Sequence, residues 1–468
     1  MNVLLLSTYD LGHQPFGLAS PAAWLRQAGA RVTCNDLAVE DLDAAAVAAA
    51  GMIAIHLPMH TATRLAGDVI ARIRDLNPGA HLCFYGLYAP MNAGYLRDLG
   101  GQSIIGGEFE TPLVDLYHRL VANDGQVISE APTVAPVVAL AKQRFRMPER
   151  AGLPGLDNYA TLQIGDEHRR SGYTEASRGC KHRCRHCPVV PVYDGRFFVV
   201  QHDVVMADIA TQIAAGARHI SFGDPDFFNG VGHALRLVRA VHAADPEITY
   251  DATIKVEHLL RQRRHLRTLV ETGCLLVTTA VESLDDEVLA LLDKGHSRVD
   301  FLRAVALARD AGLTLSPTFI PFTPWTTLEG YHDLLREIAA LDLIAEVAPI
   351  QLAIRLLVPQ GSRLRGLAAL RRGLGPYQPE ALSYPWRNPD PRVEALSQAV
   401  AAAVEGAEGI GEDRAGTFAK IVALTRRAGG LDPVPDWLPP ARSRAPVPRM
   451  SEPWYCCAEP TAAQRAAV

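Results

Sequence analysis

Short apolar segments alternate with amphipathic stretches through the first 122 residues of the chain. The apolar segments have the length of strands, and the stretches between them repeat apolar residues at helical spacing. The alternation predicts a doubly wound parallel sheet, a fold in which ligands bind beyond the carboxyl ends of the strands. The predicted strands are residues 3–6, 31–34, 52–56, 81–85 and 103–105.

A second series of strands and helices follows a break in the pattern. Residues 123–165 carry several arginines and prolines and lack a clear period, so we predict a linker there. Six strands alternate with helices within residues 166–360, which favours a partial barrel with its chemistry on the loops after the strands. These strands are residues 174–178, 219–222, 249–254, 275–281, 314–320 and 350–357.

The sequence pattern and composition change beyond the predicted barrel. Residues 361–431 are helical in pattern and rich in alanine. Residues 433–448 contain six prolines, which suit neither a helix nor a central strand. We therefore predict an α/β fold class for the first two units, then a C-terminal helical region and an extended tail over residues 432–468. Substrate specificity is expected from the loops at the barrel mouth and from the helical region.

Length and charge narrow the class of protein. A chain of 468 residues can form two or three domains with their own cores. The formal net charge is -5 and the basic residues are scattered, which argues against a nucleic-acid partner. The chain has neither a basic leader with an apolar segment nor an apolar run of about 18 residues, so we expect no membrane partner. Eight cysteines, three of them closely spaced, favour the reducing cytoplasm.

Three cysteines follow the first predicted barrel strand at C-x3-C-x2-C spacing. Cys180, Cys184 and Cys187 supply three of the four thiolates that a 4Fe-4S cluster can take, which leaves one iron open to a substrate or cofactor. His182 and His186 lie among them, and cysteine with histidine also suits structural zinc. A zinc site would need a second pair of ligands, and no other closely spaced cysteines occur before the extreme C terminus. The spacing therefore favours the cluster.

The cysteine triad resembles the signature of radical S-adenosylmethionine (SAM) enzymes, with His186 where the family usually has an aromatic residue. The resemblance implies a 4Fe-4S cluster and SAM as cofactors. It also implies reductive cleavage of SAM to methionine and a 5'-deoxyadenosyl radical that abstracts a hydrogen from a small-molecule substrate. The expected protein partner is an electron donor such as flavodoxin or ferredoxin.

Residues 221–228 are similar to the loop that binds the amino group of SAM in this family. The similarity assigns Gly223, Asp224 and Asp226 to that group, because a carbonyl and a carboxylate can accept charge-assisted hydrogen bonds from an ammonium. A surface turn is the alternative, since glycine and proline break regular structure.

Two later segments also resemble SAM contacts. Residues 280–289 are similar to the segment whose acidic residue binds the ribose hydroxyls, which assigns Glu282 and Ser283 to the ribose. Ser283 could equally cap the helix that follows. Residues 356–362 resemble the loop that closes around adenine, and the preceding Arg355 could pair with the SAM carboxylate or simply be solvated.

The order of the two units resembles that of cobalamin-dependent radical SAM proteins. Residues 10–18 and 106–112 are similar to the loops that line the corrin in those proteins, which implies cobalamin as a further cofactor. The motif that donates an axial histidine has D-x-H-x-x-G spacing, from which Asp10, His13 and Gly17 depart. We therefore do not expect His13 to ligate cobalt. A sheet domain kept for packing or for the substrate is the alternative.

The same resemblance makes methyl transfer to an unactivated carbon or another poor nucleophile the favoured reaction. A radical rearrangement, or formation of a carbon-sulfur or carbon-arsenic bond, would use the same motifs. An iron-sulfur protein that transfers electrons or thiols without consuming SAM is the alternative from another class.

The run Trp-Tyr-Cys-Cys-Ala-Glu-Pro at residues 454–460 resembles the tail of the radical SAM group named for its CUAEP or CCAEP motif. Members with selenocysteine carry it at the position of Cys457, which implies a reactive residue, and we assign Cys456 and Cys457 a catalytic role. A disulfide between neighbouring cysteines would be strained and easily reduced. An ordinary thiol pair is the alternative. The remaining cysteines are expected to be buried as small apolar residues: Cys34, Cys83 and Cys274.

Overall fold

The computed structural model describes residues 1–123, 135–432, 435–438 and 446–452. Its first part is a parallel sheet flanked by helices. In chain order the elements are β1 (Asn2–Ser7), α1 (Phe16–Gln27), β2 (Arg31–Asp36), α2 (Ala44–Ala49), β3 (Met52–His56), α3 (His60–Leu76), β4 (His81–Tyr85), α4 (Ala93–Asp98), β5 (Ser103–Gly107), α5 (Glu110–Ala122) and β6 (Val137–Ala139).

The strands of this first sheet run parallel in the order β2-β1-β3-β4-β5-β6. The predicted doubly wound fold is confirmed. The chain turns in opposite directions from β1, so the loops after β1 and β3 open a crevice at the carboxyl edge of the sheet. β6 lies within the predicted linker 123–165, which therefore also contributes to the sheet.

The second part is a nearly closed, barrel-like sheet with helices outside it. Its elements are β7 (Thr161–Ile164), β8 (Glu167–Thr174), β9 (Ser177–Gly179), α6 (Val189–Tyr193), β10 (Phe197–Val199), α7 (His202–Ala214), β11 (His219–Phe222), α8 (Val231–Ala244), β12 (Thr249–Thr253), α9 (Val256–Arg261), α10 (Leu266–Glu271), β13 (Cys274–Glu282), α11 (Asp286–Leu292), α12 (Arg298–Ala311), β14 (Thr314–Phe319) and α13 (Leu328–Ala340).

The strand order of this sheet is β14-β13-β12-β11-β8-β7-β15, in which β15 is the two-residue strand Arg449–Met450. The strands from β8 to β14 pair in parallel, while β7 and β15 run antiparallel at one edge. The predicted partial barrel is confirmed. Its parallel strands all end on the side where the cysteine loop begins, because that loop follows β8 and the short β9.

The segment 350–357, predicted as the sixth barrel strand, does not form a strand. Pro349–Leu352 is a single 3-10 turn, and the bridge between Arg355 and Phe322 is isolated. The Gln351 side chain accepts a hydrogen bond of 3.1 Å from the Phe319 N–H at the end of β14. A side chain therefore occupies part of the edge that a sixth strand would need.

The helical region consists of α14 (Ala368–Arg371), α15 (Pro391–Gly409) and α16 (Arg414–Ala428), and the last two pack apolar residues into the barrel core. The edge strand β15 (Arg449–Met450) lies within the predicted tail 432–468 and pairs with β7. Cys456 and Cys457 lie outside the described residues.

The carboxyl edge of the first sheet packs against the barrel. Val288, Leu292 and Ile320 of the barrel belong to the same apolar cluster as residues of the first sheet. Arg150 joins the units through polar contacts, because it binds Asp208 of α7 at 2.7 Å and donates to Gln14 of the first unit at 2.8 Å. The two units therefore share both apolar and polar contacts around the space between them.

Candidate active site

A cavity of about 340 Å³ lies between the two units. The loops after β1, β3, β4 and β5 supply one wall, and the barrel and its cysteine loop supply the other. This placement matches the rule that ligands bind beyond the carboxyl ends of parallel strands. The lining includes Asp10, His13, His56, Tyr88 and Phe109 from the first unit, and Tyr173, Glu175, Arg178, His186, Cys187, Gly223 and Glu282 from the second.

The predicted cluster cysteines lie on one short loop after β9. Cys184 is buried, Cys180 and Cys187 are partly buried, and all three thiols are free. The Cys187 N–H donates to the Cys184 carbonyl at 3.2 Å, which folds the second half of the loop into a turn. Asn229 accepts a hydrogen bond of 3.2 Å from the Lys181 N–H and thereby fixes the first half.

Burial raises the pKa of the Cys180 and Cys187 thiols above their ordinary value. Metal binding to these thiols must therefore release protons, as it does for thiolate ligands generally. Cys34, Cys83 and Cys274 are buried elsewhere, which confirms the expectation that they are small core residues.

Glu282 ends β13 and lines the cavity. Its Oε1 atom lies 3.1 Å from the Lys294 ammonium and 3.1 Å from His186 Nε2. Burial alone would raise the pKa of Glu282, but Lys294 and His186 lower it to about 2. The cavity therefore contains an ionised carboxylate next to the cysteine loop.

Ser283, the predicted partner of Glu282, does not line the cavity. Its hydroxyl accepts a hydrogen bond of 3.0 Å from the Asp285 N–H, while Asp285 caps α11 by accepting from Glu287 and Val288. The cap expected at Ser283 is therefore formed two residues later by Asp285, and the Ser283 hydroxyl supports that cap.

The loop after β11 presents its backbone, not its carboxylates, to the cavity. Gly223 and Pro225 line the cavity. Asp224 accepts hydrogen bonds from the Ala176 N–H and the Ser177 hydroxyl, and so anchors the strand that precedes the cysteine loop. Burial raises the pKa of Asp224 to about 7.

Asp226 also points away from the cavity lining. Its Oδ1 accepts a hydrogen bond of 3.2 Å from the Phe228 N–H, and its Oδ2 faces His182 and His258. The predicted contact of the two aspartates with SAM stays a prediction; in this structure their carboxylates are directed at protein groups.

Arg355 does not line the cavity either. Its guanidinium binds both carboxylate oxygens of Glu394, at 2.8 and 2.9 Å, and lies 4.2 Å from the ring of Trp386. The arginine therefore joins the barrel to the helical region, and its contact with the SAM carboxylate stays a prediction.

A buried ionic cluster beside the cavity has no counterpart in the sequence motifs. Arg178 binds Glu175 at 2.6 Å, Glu110 at 2.7 Å and Glu108 at 3.5 Å. These carboxylates come from both units, so no spacing in the sequence announces the cluster. Lys294, the partner of Glu282, lies 12 residues away in the same unit, beyond helix α11, and no motif in the sequence pairs the two residues.

The comparison with known families decides the class of the second unit. Residues 174–338 match the profile of the Radical SAM superfamily. The chain contains a radical SAM domain. Such a domain implies a 4Fe-4S cluster and SAM, and the predicted cysteines lie within the matched residues.

Two solved structures of radical SAM proteins share the overall fold. The cobalamin-dependent SAM radical enzyme OxsB, with aqua-cobalamin and SAM bound, aligns with a TM-score of 0.69 and 13% identity over 87% of this chain and 67% of its own. The radical SAM methyltransferase TsrM from Kitasatospora setae, with tryptophan substrate and a SAM analogue bound, aligns with a TM-score of 0.57 and 18% identity. That alignment covers 73% of this chain and 71% of TsrM.

A curated relative shares only a short stretch with this radical SAM chain. The tRNA uridine(34) acetyltransferase of Methanocaldococcus infernus is 29% identical over 75 residues, which are 16% of this chain and 14% of that protein.

In the part of the chain that the structure describes, no helix is long and apolar enough to cross a membrane.

Proposed function

We propose that this chain is a cobalamin-dependent radical SAM enzyme that modifies a small molecule, with methyl transfer as the favoured reaction. One observation carries the proposal: a single cavity is lined by the cysteine loop, by Glu282 and by the loops of the first unit. If a cluster, SAM and a second cofactor share one active site, both units must line the same cavity.

The residues present fit a 4Fe-4S cluster, because three free thiols lie on one fixed loop, of which Cys187 lines the cavity. When bound, the cluster supplies the electron that cleaves SAM to methionine and a 5'-deoxyadenosyl radical. Cys180, Cys184 and Cys187 would hold it. His186, which sits between two of these cysteines in sequence, bonds Glu282 and so links the cluster loop to the wall of the cavity.

Glu282 and the backbone after β11 are the proposed contacts for SAM. The low pKa of Glu282 keeps it ionised at neutral pH, as an acceptor of ribose hydroxyls must be. A carbonyl of the Gly223 loop would accept from the SAM ammonium, with Asp224 and Asp226 positioning that loop. Ser283 and Arg355 have no part in this arrangement, because their contacts lie outside the cavity lining.

The first unit offers an apolar wall that fits the face of a macrocycle. Leu11, Met59 and Leu87 line it together with the rings of Tyr88 and Phe109. When bound, cobalamin supplies a carrier for the methyl group. The likeness in fold to OxsB and TsrM supports this assignment to the unit over residues 1–122.

Two histidines on this wall are neutral in the folded protein. Burial lowers the pKa of His13 to about 4 and that of His56 to about 3. The His13 ring stacks on Tyr173 of the barrel at 4.7 Å. Both histidines would therefore present uncharged, apolar ring surface to a bound corrin.

The tail is proposed to belong to the CCAEP type and to act at the same cavity. Glu452 accepts a hydrogen bond of 2.5 Å from the Tyr9 hydroxyl, beside the loop that carries Asp10. Cys456 follows four residues later in the sequence, a span of at most about 14 Å. The thiols of Cys456 and Cys457 are proposed to act on a substrate bound in the cavity.

The experiment that tests the proposal replaces the three cluster cysteines together by serine. The full-length protein is reconstituted anaerobically with iron and sulfide, reduced, and given SAM. Wild-type protein should show the visible absorbance of the cluster and form 5'-deoxyadenosine, and the triple variant should lose both. Deoxyadenosine formation by the variant would contradict the assignment.

The tail has its own test. Serine at Cys456 and Cys457 should leave the cluster absorbance intact but lower turnover of substrate. Replacement of the buried Cys83 by serine controls for the loss of a thiol far from the cavity, since Cys83 lies in β4. Unchanged turnover in the tail variant would return Cys456 and Cys457 to an ordinary thiol pair.

A further inference from the structure

Two histidines and an aspartate converge beside the cysteine loop. His182 lies in that loop, Asp226 follows β11, and His258 lies on α9. One ligand atom from each residue lies within 4.8 Å of the other two. Asp226 Oδ2 is 2.6 Å from His258 Nδ1 and 3.4 Å from His182 Nε2. These three residues are called the His-Asp-His cluster below.

The facing atoms are buried and contact one another. Among the residues that the structure describes, His182 Nε2, His258 Nδ1 and Asp226 Oδ2 have no hydrogen-bond partner outside the cluster, and Asp226 Oδ2 lies at ion-pair distance from both histidines. The exposed fraction of the side chain is 2% for Asp226 and 7% for His258. Two imidazoles and one carboxylate that face one another within 4.8 Å form a ligand set for a cation.

The surroundings resemble the outer layer of a metal site. Glu257 Oε2 lies 3.5 Å from Nδ1 of His182, the ring nitrogen that faces away from Asp226. A carboxylate on the far side of a ligating histidine fixes the ring and increases its basicity. Lys255, at 3.6 Å, in turn holds Glu257.

We propose that the His-Asp-His cluster binds a divalent transition-metal ion that is separate from the iron-sulfur cluster. Two imidazoles and one carboxylate suit Zn²⁺ or Fe²⁺ and leave a further coordination position open. Ligands of a tetrahedral ion with bonds of about 2.0 to 2.1 Å lie about 3.3 Å apart. Binding therefore requires His258 and Asp226 to separate slightly from their 2.6 Å contact.

The ion would tie the cysteine loop to the barrel. His182 lies between Cys180 and Cys184 in sequence, whereas Asp226 and His258 belong to the β11 loop and α9. A metal that joins these elements would hold the first two cluster ligands in place whether or not SAM is bound. This role is independent of the proposed function, because it is measured by metal content and not by turnover.

The test uses the full chain with its 4Fe-4S cluster assembled anaerobically and loosely held metal removed by a chelator. The protein is dialysed against Zn²⁺ and, in a separate arm, against Fe²⁺, and bound metals are counted by mass spectrometry. We expect one extra metal ion per chain in at least one arm. X-ray absorption at the zinc edge should show nitrogen and oxygen ligands without sulfur, which separates this site from zinc on the cluster cysteines.

Variants locate the site. Asp226→Asn and His258→Gln should each weaken binding by more than about 100-fold, and Glu257→Gln by about 10- to 100-fold, since it removes only an outer partner. His118→Gln, at an exposed position of α5, should bind as wild type does. Wild-type protein that holds no metal beyond its cluster, sulfur ligation of the added zinc, or unchanged binding by His258→Gln would each overturn the proposal.

Discussion

Glu282, on the barrel side of the cavity, combines an unusual backbone conformation with two polar contacts of its carboxylate. Its backbone φ of 69° lies in the left-handed region, which residues other than glycine seldom adopt. The pairing of β13 with β14 shifts register between Ala280 and Glu282, so the strand ends in an irregularity. Such strain persists where the surrounding contacts impose it, here the Lys294 and His186 contacts with the carboxylate.

Glu282→Gln should destabilise the protein by about 3 to 5 kcal/mol, because Lys294 then remains buried without an opposite charge. The free energy of urea unfolding at neutral pH measures the change. Adding Lys294→Met should recover most of the loss, since the double variant leaves no unpaired charge. A loss below about 1 kcal/mol in the single variant would mean that the two charges do not depend on each other.

Glu108 should make stability fall as pH rises. Burial, opposed by Arg178 and aided by Glu110, raises the pKa of Glu108 to about 7 from its ordinary 4.5. The folded chain therefore keeps a proton that the unfolded chain releases between these pH values, so this residue contributes a loss of stability across that window.

Glu108→Gln should remove this contribution. Relative to wild type, the variant should gain up to about 3 kcal/mol between about pH 4.5 and pH 7. Unfolding midpoints across that range measure the difference. If the stabilities of wild type and variant change in parallel with pH through this range, the pKa of Glu108 is not raised by folding.

Some site residues can be predicted from a local sequence pattern, and others cannot. Cys180, Cys184 and Cys187 lie within eight consecutive positions, so their spacing alone predicts a cluster. Glu108 and the His-Asp-His cluster acquire their partners from distant elements, and Lys294 meets Glu282 across the intervening helix α11, so the sequence carries no spacing signal for these contacts.

The elements were predictable where an apolar run ends in a clear break. Residues 52–56 and 81–85 form β3 and β4 as predicted, and 219–222 forms β11. The pattern fails at short or interrupted segments. β6 is three residues long and largely exposed, and residues 350–357 are apolar enough for a strand but turn at Pro349–Leu352. A buried segment outside a sheet can therefore have the same apolar pattern as a buried strand, and the sequence alone does not distinguish the two.

Gly17→Ala should disturb the first wall of the cavity. A Cβ atom at Gly17 in α1 would lie 2.0 Å from the His56 ring, which is packed against Tyr85 and Phe109 and cannot swing aside. We expect a loss of about 1 to 3 kcal/mol in unfolding free energy.

The matched control is Gly232→Ala in α8, where a Cβ would meet nothing within 4 Å. That change should stabilise the chain by at most about 0.5 kcal/mol, because Gly232 lies in the first turn of α8, where alanine gains less over glycine than in a helix interior. Equal effects of the two alanines would show that α1 does not depend on close packing against β3.

The whole molecule depends on contacts that hold the two units together around the cavity. Arg150→Met should cost about 3 to 5 kcal/mol, because Asp208 is left buried without its cation and Gln14 of the first unit loses a donor. Arg169→Met is the control, since the carboxylate of its partner Glu167 is exposed to solvent and such surface pairs contribute little to stability. Calorimetric unfolding of both variants measures the difference, and equal losses would contradict a special role for Arg150.

The measurement that tests the central claim most directly adds hydroxocobalamin to the reconstituted, reduced protein with SAM under anaerobic conditions. Bound corrin is followed by absorbance, and 5'-deoxyadenosine and S-adenosylhomocysteine by mass spectrometry. We expect corrin to bind to the chain and both SAM products to form when a substrate is present. Deoxyadenosine without bound corrin would leave the first unit as a scaffold. The absence of both SAM products and of bound corrin would contradict the proposed enzyme.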